Sequence, residues 1–263
     1  MTARPVVDLR GVRKAFDGRS VLDGVDLSVE AGRFVSLLGP SGCGKSTLFS
    51  VIAGLDDADA GSVTAPRCAY MPQKDLLFPW RTVLANTTLG LEVQGVPAAQ
   101  ARAAANDLFP VFGLDGFQDA RPSALSGGMR QRAALLRTVV QGREVILLDE
   151  PFGALDSITR AAMQDWLEEV WQRYRWTVLM ITHDVREAVH LSDRVVVLSP
   201  RPARVVDDVT VSLPRPRGAD RVTTPEFAEY ERRLTAALRA VPAPSEYSSS
   251  THPGRTGPSR FAP

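Results

Sequence analysis

Apolar positions along the chain change rhythm several times, and each change predicts a different element. Residues 4–38 carry VVDLRGVRKAF, VLDGVDLSV and RFVSLLG, alternating or continuous apolar runs broken by glycine, which predict strands. STLFSVIAGL at 46–55 has helical spacing, residues 61–72 hold two short strand-like runs, and KDLLFPWRT is an irregular loop closed by proline. Residues 83–141 turn to Ala, Leu and Arg at helical spacing, with turn signals at Gly95, Pro97, Gly113 and Gly116. EVILLDE at 144–150 is a continuous apolar run ending in two carboxylates, as a strand buried on both faces would read. Residues 158–175 place Ile158, Ala162, Met163, Trp166, Leu167, Val170, Trp171 and Tyr174 on one helix face. TVLMIT and RVVVLSP are further buried strands around the helical DVREAVHLS, and Arg/Pro-rich strand-like segments after 200 lead to a charged helix near 225–240. Residues 242–263 are of low complexity and predict a disordered tail. Strands alternating with helices around a helical insert predict an α/β fold with a mostly parallel sheet, and no internal repeat doubles it.

Composition narrows the function. With 263 residues, 44% hydrophobic and 23% charged, the chain is long enough and apolar enough to bury a core. A net charge of +1 gives no global field toward nucleic acid or an anionic membrane surface. Two cysteines, Cys43 and Cys68, make neither a disulfide scaffold nor a four-ligand zinc site, so a reducing cytosol is expected. MTARPVVDLRG lacks the apolar core of a secretory signal, and the longest apolar runs fall far short of the roughly 18 residues a bilayer span needs. Work at a membrane would need a span from another chain.

The chemistry concentrates in a few short segments. Gly39-Pro40-Ser41-Gly42-Cys43-Gly44-Lys45-Ser46-Thr47 fits G-x-x-x-x-G-K-[ST] between the strand FVSLL and a helix. Glycines let successive N–H groups face phosphate oxygens, the helix N-terminus favours the anion, Lys45 reaches the outer phosphates, and Ser46 offers a hydroxyl to Mg2+. Cys43 reads as a small filler inside this loop. Asp149 and Glu150 end the apolar strand, Asp149 placed to hold Mg2+ through water and Glu150 to polarise an attacking water. This much leaves kinase, GTPase and ATPase open.

Leu125-Ser126-Gly127-Gly128-Met129-Arg130-Gln131-Arg132 before a helix narrows the choice. The order P-loop, Gln73, LSGGM, ILLDEP, GALD and THD over residues 4–215 resembles the ATP-binding cassette (ABC) ATPases. The resemblance implies a P-loop NTPase (RecA-like) core with an N-terminal antiparallel β-subdomain and an inserted α-helical subdomain at about 83–143. Together these would form one ATPase domain over 1–241. It implies ATP and Mg2+ as cofactors and a head-to-tail dimer of two copies around two ATPs. Ser126, Gly127 and Gly128 would then contact the γ-phosphate held by the other copy's P-loop, with Asp156 of GALD along the seam. Asp156 also suits a helix N-cap. Gln73 would contact Mg2+ and the attacking water, His183 of THD the γ-phosphate, and Phe16, 29 residues before Lys45, the adenine. His190 and His252 match nothing and receive no role.

KDLLFPWRTVLANTTLGLEVQGV resembles the nitrate/sulfonate/taurine importer group, which includes importers of the pyrimidine precursor of thiamine, whose form is LLxPWRTVxxN; Phe78 stands where Leu is commoner. Pro214-Arg215-Pro216-Arg217 looks like the same group. The resemblance implies an importer's ATPase subunit at the cytoplasmic face of the membrane. Permease subunits would be direct partners, a solute-binding protein an indirect one, and nucleic acid not a partner. Leu76, Leu77, Phe78 and Trp80 in one loop suggest the permease-facing surface. The alternative is a soluble cassette ATPase of DNA repair or translation, but neither a coiled-coil insertion nor a second cassette is visible. Glu150, Gln73 and His183 argue against a non-hydrolysing sensor.

Overall fold

The computed structural model describes residues 4–218 and 220–240, so the expected tail and His252 lie outside the described residues. Two sheets organise it. β1 (Val7–Phe16), β2 (Arg19–Val29) and β4 (Ala60–Thr64) form an antiparallel sheet in the order β2-β1-β4. The other six strands are β3 (Phe34–Leu38), β5 (Ala69–Met71), β6 (Val145–Asp149), β7 (Thr177–Thr182), β8 (Arg194–Leu198) and β9 (Val205–Thr210). They lie in the order β5-β6-β7-β3-β8-β9, parallel except for β9 at the edge. Every residue of β3, β6 and β7 is buried, which is why these strands show no alternation.

Register brings the chemistry to one edge. Met71 pairs with Leu148, Asp149 with Ile181 and Leu38 with Thr182, so four parallel strands end level. The residues that follow them, Gln73, Glu150, His183 and the P-loop, emerge at the carboxyl end where open α/β sheets bind ligands.

Helices cover the parallel sheet. α1 (Lys45–Ile52) follows the P-loop and stops earlier than its spacing predicts, before Gly54 in the left-handed region. α2 (Val83–Thr87), α3 (Leu89–Val93), α4 (Ala98–Asn106) and α5 (Gly127–Val139) form the helical insert between β5 and β6. α6 (Ser157–Tyr174) buries Met163, Leu167, Val170 and Trp171, but Ile158 is 82% exposed and Ala162 is exposed too. The apolar face predicted over 158–175 is therefore buried from Met163 onward and left open to solvent at Ile158 and Ala162. α7 (Val185–Leu191) and α8 (Pro225–Ala240) pack together beyond β8 and β9, burying Phe227 and Leu234.

The Pro214–Arg217 segment is a clamp. Arg217 is buried, and its guanidinium donates to the carbonyls of Val189 (2.7 Å) and Ser192 (2.6 Å) at the end of α7 and to those of Val211 and Leu213. Its backbone N–H bonds both oxygens of buried Glu168 on α6, at 2.9 and 2.8 Å. Arg215 pairs with Glu168 and Asp193 and lies 4.3 Å over the Trp171 ring. Burial lowers the Arg217 pKa to about 10. Arg217→Ala strands four carbonyls inside the protein. It is expected to lose about 3 kcal/mol or more of unfolding free energy, read from the urea midpoint.

His190 is structural. It is buried on α7 with Nε2 3.3 Å from Asp165, and burial lowers its pKa.

Candidate nucleotide site

A cavity of about 400 Å3 sits over the P-loop, lined among others by Phe16, Ser41, Gly44, Lys45, Gln73 and Glu150. Gly44 has φ +120, and a Cβ there would meet Val21 Cγ1 at 2.9 Å, so only glycine closes the loop. Lys45 is buried, its ammonium held by the carbonyls of Gly39 (2.8 Å) and Pro40 (2.9 Å). The Cys43 side chain is buried and burial pushes its thiol up, so the filler role fits. Phe16 is 44% exposed, with the Lys14 ammonium 5.2 Å from its ring centre, and stands as an aromatic surface at the cavity wall.

The acidic pair divides by environment. Asp149 is buried, and desolvation raises its pKa against hydrogen bonds from Ser46 and Tyr70. The Tyr70 hydroxyl donates to Asp149 Oδ2 at 3.1 Å. Hydroxyl, carboxylate and amide oxygens from Ser46, Asp149 and Gln73 are the hard donors a divalent cation such as Mg2+ takes, and a desolvated carboxylate gains from such a charge, so the residues fit the ion.

Glu150 is half-buried one residue on, with φ 44, the left-handed region that non-glycine residues avoid. The turn aims its carboxylate between two neighbours: Gln73 Nε2 donates to Oε2 at 3.1 Å, and His183 Nδ1 lies 3.4 Å from Oε1. Carboxylate, amide and imidazole are thus gathered from three strand ends.

Ser126, Gly127, Gly128 and Asp156 do not join this cavity. Ser126 caps α5, accepting from the Met129 N–H at 3.2 Å, and Gly127 lines a separate cavity of about 550 Å3 with Lys74, Leu76 and Leu155. A Cβ on Gly128 would meet Thr159 Cγ2 at 3.0 Å, so α5 and α6 cross closely there. Asp156 caps α6, its Oδ1 accepting from the N–H groups of Ile158 and Thr159 at 3.1 Å.

Sequence reasoning missed Tyr70 and Arg201. Arg201 reaches the P-loop cavity from beyond β8 and donates to the Ser20 carbonyl at 3.2 Å. Neither has a motif of its own; knowing that β5 neighbours β6 would have flagged Tyr70.

In the loop after Gln73, Leu77 is buried, whereas Leu76 and Trp80 are 57% and 68% exposed. Phe78 is half-buried, its ring 5.0 Å from that of Trp80. The expected apolar surface is therefore Leu76, Phe78 and Trp80, with Leu77 as core. Buried Asn86 pins the loop, accepting from the Phe78 N–H at 2.7 Å and donating to the Phe78 carbonyl at 3.1 Å.

A phosphate-cradling loop between a parallel strand and a helix, with an acidic strand end beside it, defines a P-loop ATPase of the RecA-like α/β class. A family model described as ABC transporter matches residues 22–153, and the chain belongs to that family. It is 45% identical over 236 residues to an ABC transporter ATP-binding protein of Methanocaldococcus jannaschii, covering 85% of this chain and 87% of that protein. It is 47% identical over 238 residues to an aliphatic sulfonates import ATP-binding protein of Streptomyces avermitilis, covering 89% and 91%. A dimeric, post-hydrolysis ATP-binding cassette, MJ0796, bound to ADP and Pi superposes with a TM-score of 0.68 at 27% identity, covering 79% of this chain and 99% of that one.

Proposed function

We propose that the chain is the ATP-hydrolysing subunit of a bacterial importer for a small solute of the sulfonate type, in the group that also takes nitrate, taurine and pyrimidine precursors. The observation that carries the chemistry is the gathering of Gln73 and His183 on Glu150 beside the P-loop. The relatives named as sulfonate importers support the solute class. Residues 1–241 act as one ATPase domain with 83–143 as its insert. Two copies close head to tail, and the exposed Ile158 beside Asp156 supports a seam on that face.

In this arrangement the backbone of Gly39–Gly44 and the Lys45 and Thr47 side chains hold the phosphates, and Phe16 stacks on adenine. Ser46, Asp149 and Gln73 would hold Mg2+, which would supply positive charge against the developing negative charge of the phosphates. Gln73 orients a water, and Glu150 accepts its proton as the water oxygen bonds to the γ-phosphorus and the bond to the β–γ bridging oxygen breaks. His183 donates to a γ-phosphate oxygen. Ser126, Gly127 and Gly128 of the partner subunit present a helix N-terminus to the same group. Glu150→Gln tests the general base: MgATP binding is expected to hold while hydrolysis falls.

Among the described residues no helix is long and apolar enough to cross a membrane. The subunit works as a peripheral protein at the cytoplasmic face, on permease subunits that a solute-binding protein loads. Leu76, Phe78 and Trp80 are the surface on which a permease helix rests. Trp80→Ala is expected to remove about 2 kcal/mol or more of docking energy. Transport in reconstituted membranes then falls sharply while basal hydrolysis by the isolated subunit holds. Intact transport with a destabilised fold would make the loop core packing and remove the physical support for an importer.

A further inference from the structure

The mechanism above asks His183 to hold an imidazole against a phosphate, yet His183 sits in a two-residue turn between β7 and α7. Its side chain is 54% exposed, with Nδ1 3.4 Å from Glu150 Oε1. Something must fix that turn.

Thr182 ends β7 and is buried. Its hydroxyl accepts from the Asp184 N–H at 2.9 Å, bridging across His183, and donates to Oε2 of Glu187. Glu187 stands on the first turn of α7, only 6% exposed. Asp184 closes the loop, its Oδ1 accepting from the Arg186 N–H at 2.8 Å and the Glu187 N–H at 3.2 Å. The residues on both sides of His183 are thus tied to one buried carboxyl.

We propose that Glu187, acting through the Thr182 hydroxyl, is a positioning residue that sets where His183 presents its imidazole. The proposal rests on His183 contacting the γ-phosphate. Rotation of Thr182 is what Glu187 prevents: a turned hydroxyl no longer accepts from Asp184, and the His183 turn loses its bridge. A displacement of about 1 Å at such a group is enough for large losses of rate.

The surroundings explain why a carboxyl holds this place. Burial pushes Glu187 up to about 7; the Thr182 hydroxyl pulls against that, Asp184 adds to it, and Gln164 and Arg160 of α6 lower it slightly. Asp165 of α6 and Arg186 and His190 of α7 complete the charged or titratable groups around the same cavity of about 390 Å3, and Val222 beyond α7 brings no charge. Oε2 of Glu187 takes the Thr182 hydroxyl, so the link to Thr182 is where the carboxyl is committed. α6 carries Asp156 at its N-terminus, so the same carboxyl touches the elements behind both the histidine and the seam aspartate.

The full-length chain, assayed with MgATP at protein concentrations that saturate dimerisation, tests this. Glu187→Ala and Thr182→Val are each expected to lower kcat by about tenfold or more, with KM for ATP within about twofold, since neither touches a phosphate or the base. The double variant falls no further than either single one. Glu187→Gln keeps an acceptor and Thr182→Ser a hydroxyl, and both restore kcat to within about threefold of wild type. A Glu187 that only supports the fold would lower the melting temperature and leave kcat per ATP-bound site unchanged. That outcome in Thr182→Val overturns the proposal, and Thr182→Val decides alone if Glu187→Ala does not fold. His183→Ala separates the two levels. Lost turnover there with full kcat in Thr182→Val overturns the role of Glu187 only. Full turnover in His183→Ala overturns the phosphate contact and the positioning role together.

Discussion

Glu150→Gln is expected to bind MgATP as the wild type does, to hydrolyse it about 10²- to 10⁴-fold more slowly, and to accumulate as an ATP-bound dimer. The amide matches the carboxylate in shape and still accepts from Gln73 Nε2, so the site keeps its geometry. What disappears is the capacity to take a proton. In the proposed arrangement nucleotide affinity rests on other groups, chiefly the P-loop N–H groups and Lys45, and Lys45→Ala is expected to remove that affinity instead. Single-turnover hydrolysis and size-exclusion chromatography with ATP read the two effects separately. Near-wild-type turnover in Glu150→Gln would remove it from the role of base and leave Asp149 as the carboxylate to examine.

Mixing two dead variants is expected to give a live enzyme. Lys45→Ala has no phosphate-binding ammonium, and Ser126→Arg blocks the helix N-terminus that Ser126 caps. In one chain the signature glycines lie outside the P-loop cavity, with Gly127 in a cavity of its own. If each site needs a P-loop from one copy and a signature from the other, a mixed pair holds one intact site and one doubly broken one. Random pairing then restores roughly a quarter of wild-type turnover, because half the pairs are mixed and each has one site of two. The measurement is steady-state hydrolysis against mixing ratio, with a maximum at equal amounts. A flat line at zero, at concentrations where wild type is fully active, would mean that the two copies do not meet head to tail.

Short contiguous motifs carried most of what the sequence alone made visible. The P-loop and the run VILLDE are each read within ten residues, where backbone chemistry and local order suffice. Their meeting depended on strand order, and β5-β6-β7-β3 is not written in any window of the chain. The Tyr70–Asp149 bond and the approach of Arg201 to the P-loop follow from that order, and no spacing announces them. Helical periodicity found the buried stripe of α6 but not where its cover ends, since Ile158 has the right phase and is 82% exposed. The apolar loop shows the same limit: composition marks Leu76 and Leu77 alike, and only the fold turns one outward and the other in. Arg217 is the reverse case, a charged residue in a polar-looking segment that proves fully buried because four carbonyls surround it.

The left-handed backbone at Glu150 sets folding and activity against each other at one codon. A residue with a Cβ at φ 44 costs about 1–2 kcal/mol relative to one without that preference, and every resting molecule carries that strain. Glycine relieves it completely and asparagine in part, so a library of variants sorted for thermal stability alone would drift toward both at this position. In the proposed arrangement it would return well-folded, well-expressed proteins that grip nucleotide and hydrolyse it far more slowly. Selection for stability would therefore run opposite to the proposed chemistry at residue 150, and a stabilising redesign that keeps hydrolysis has to hold that residue fixed.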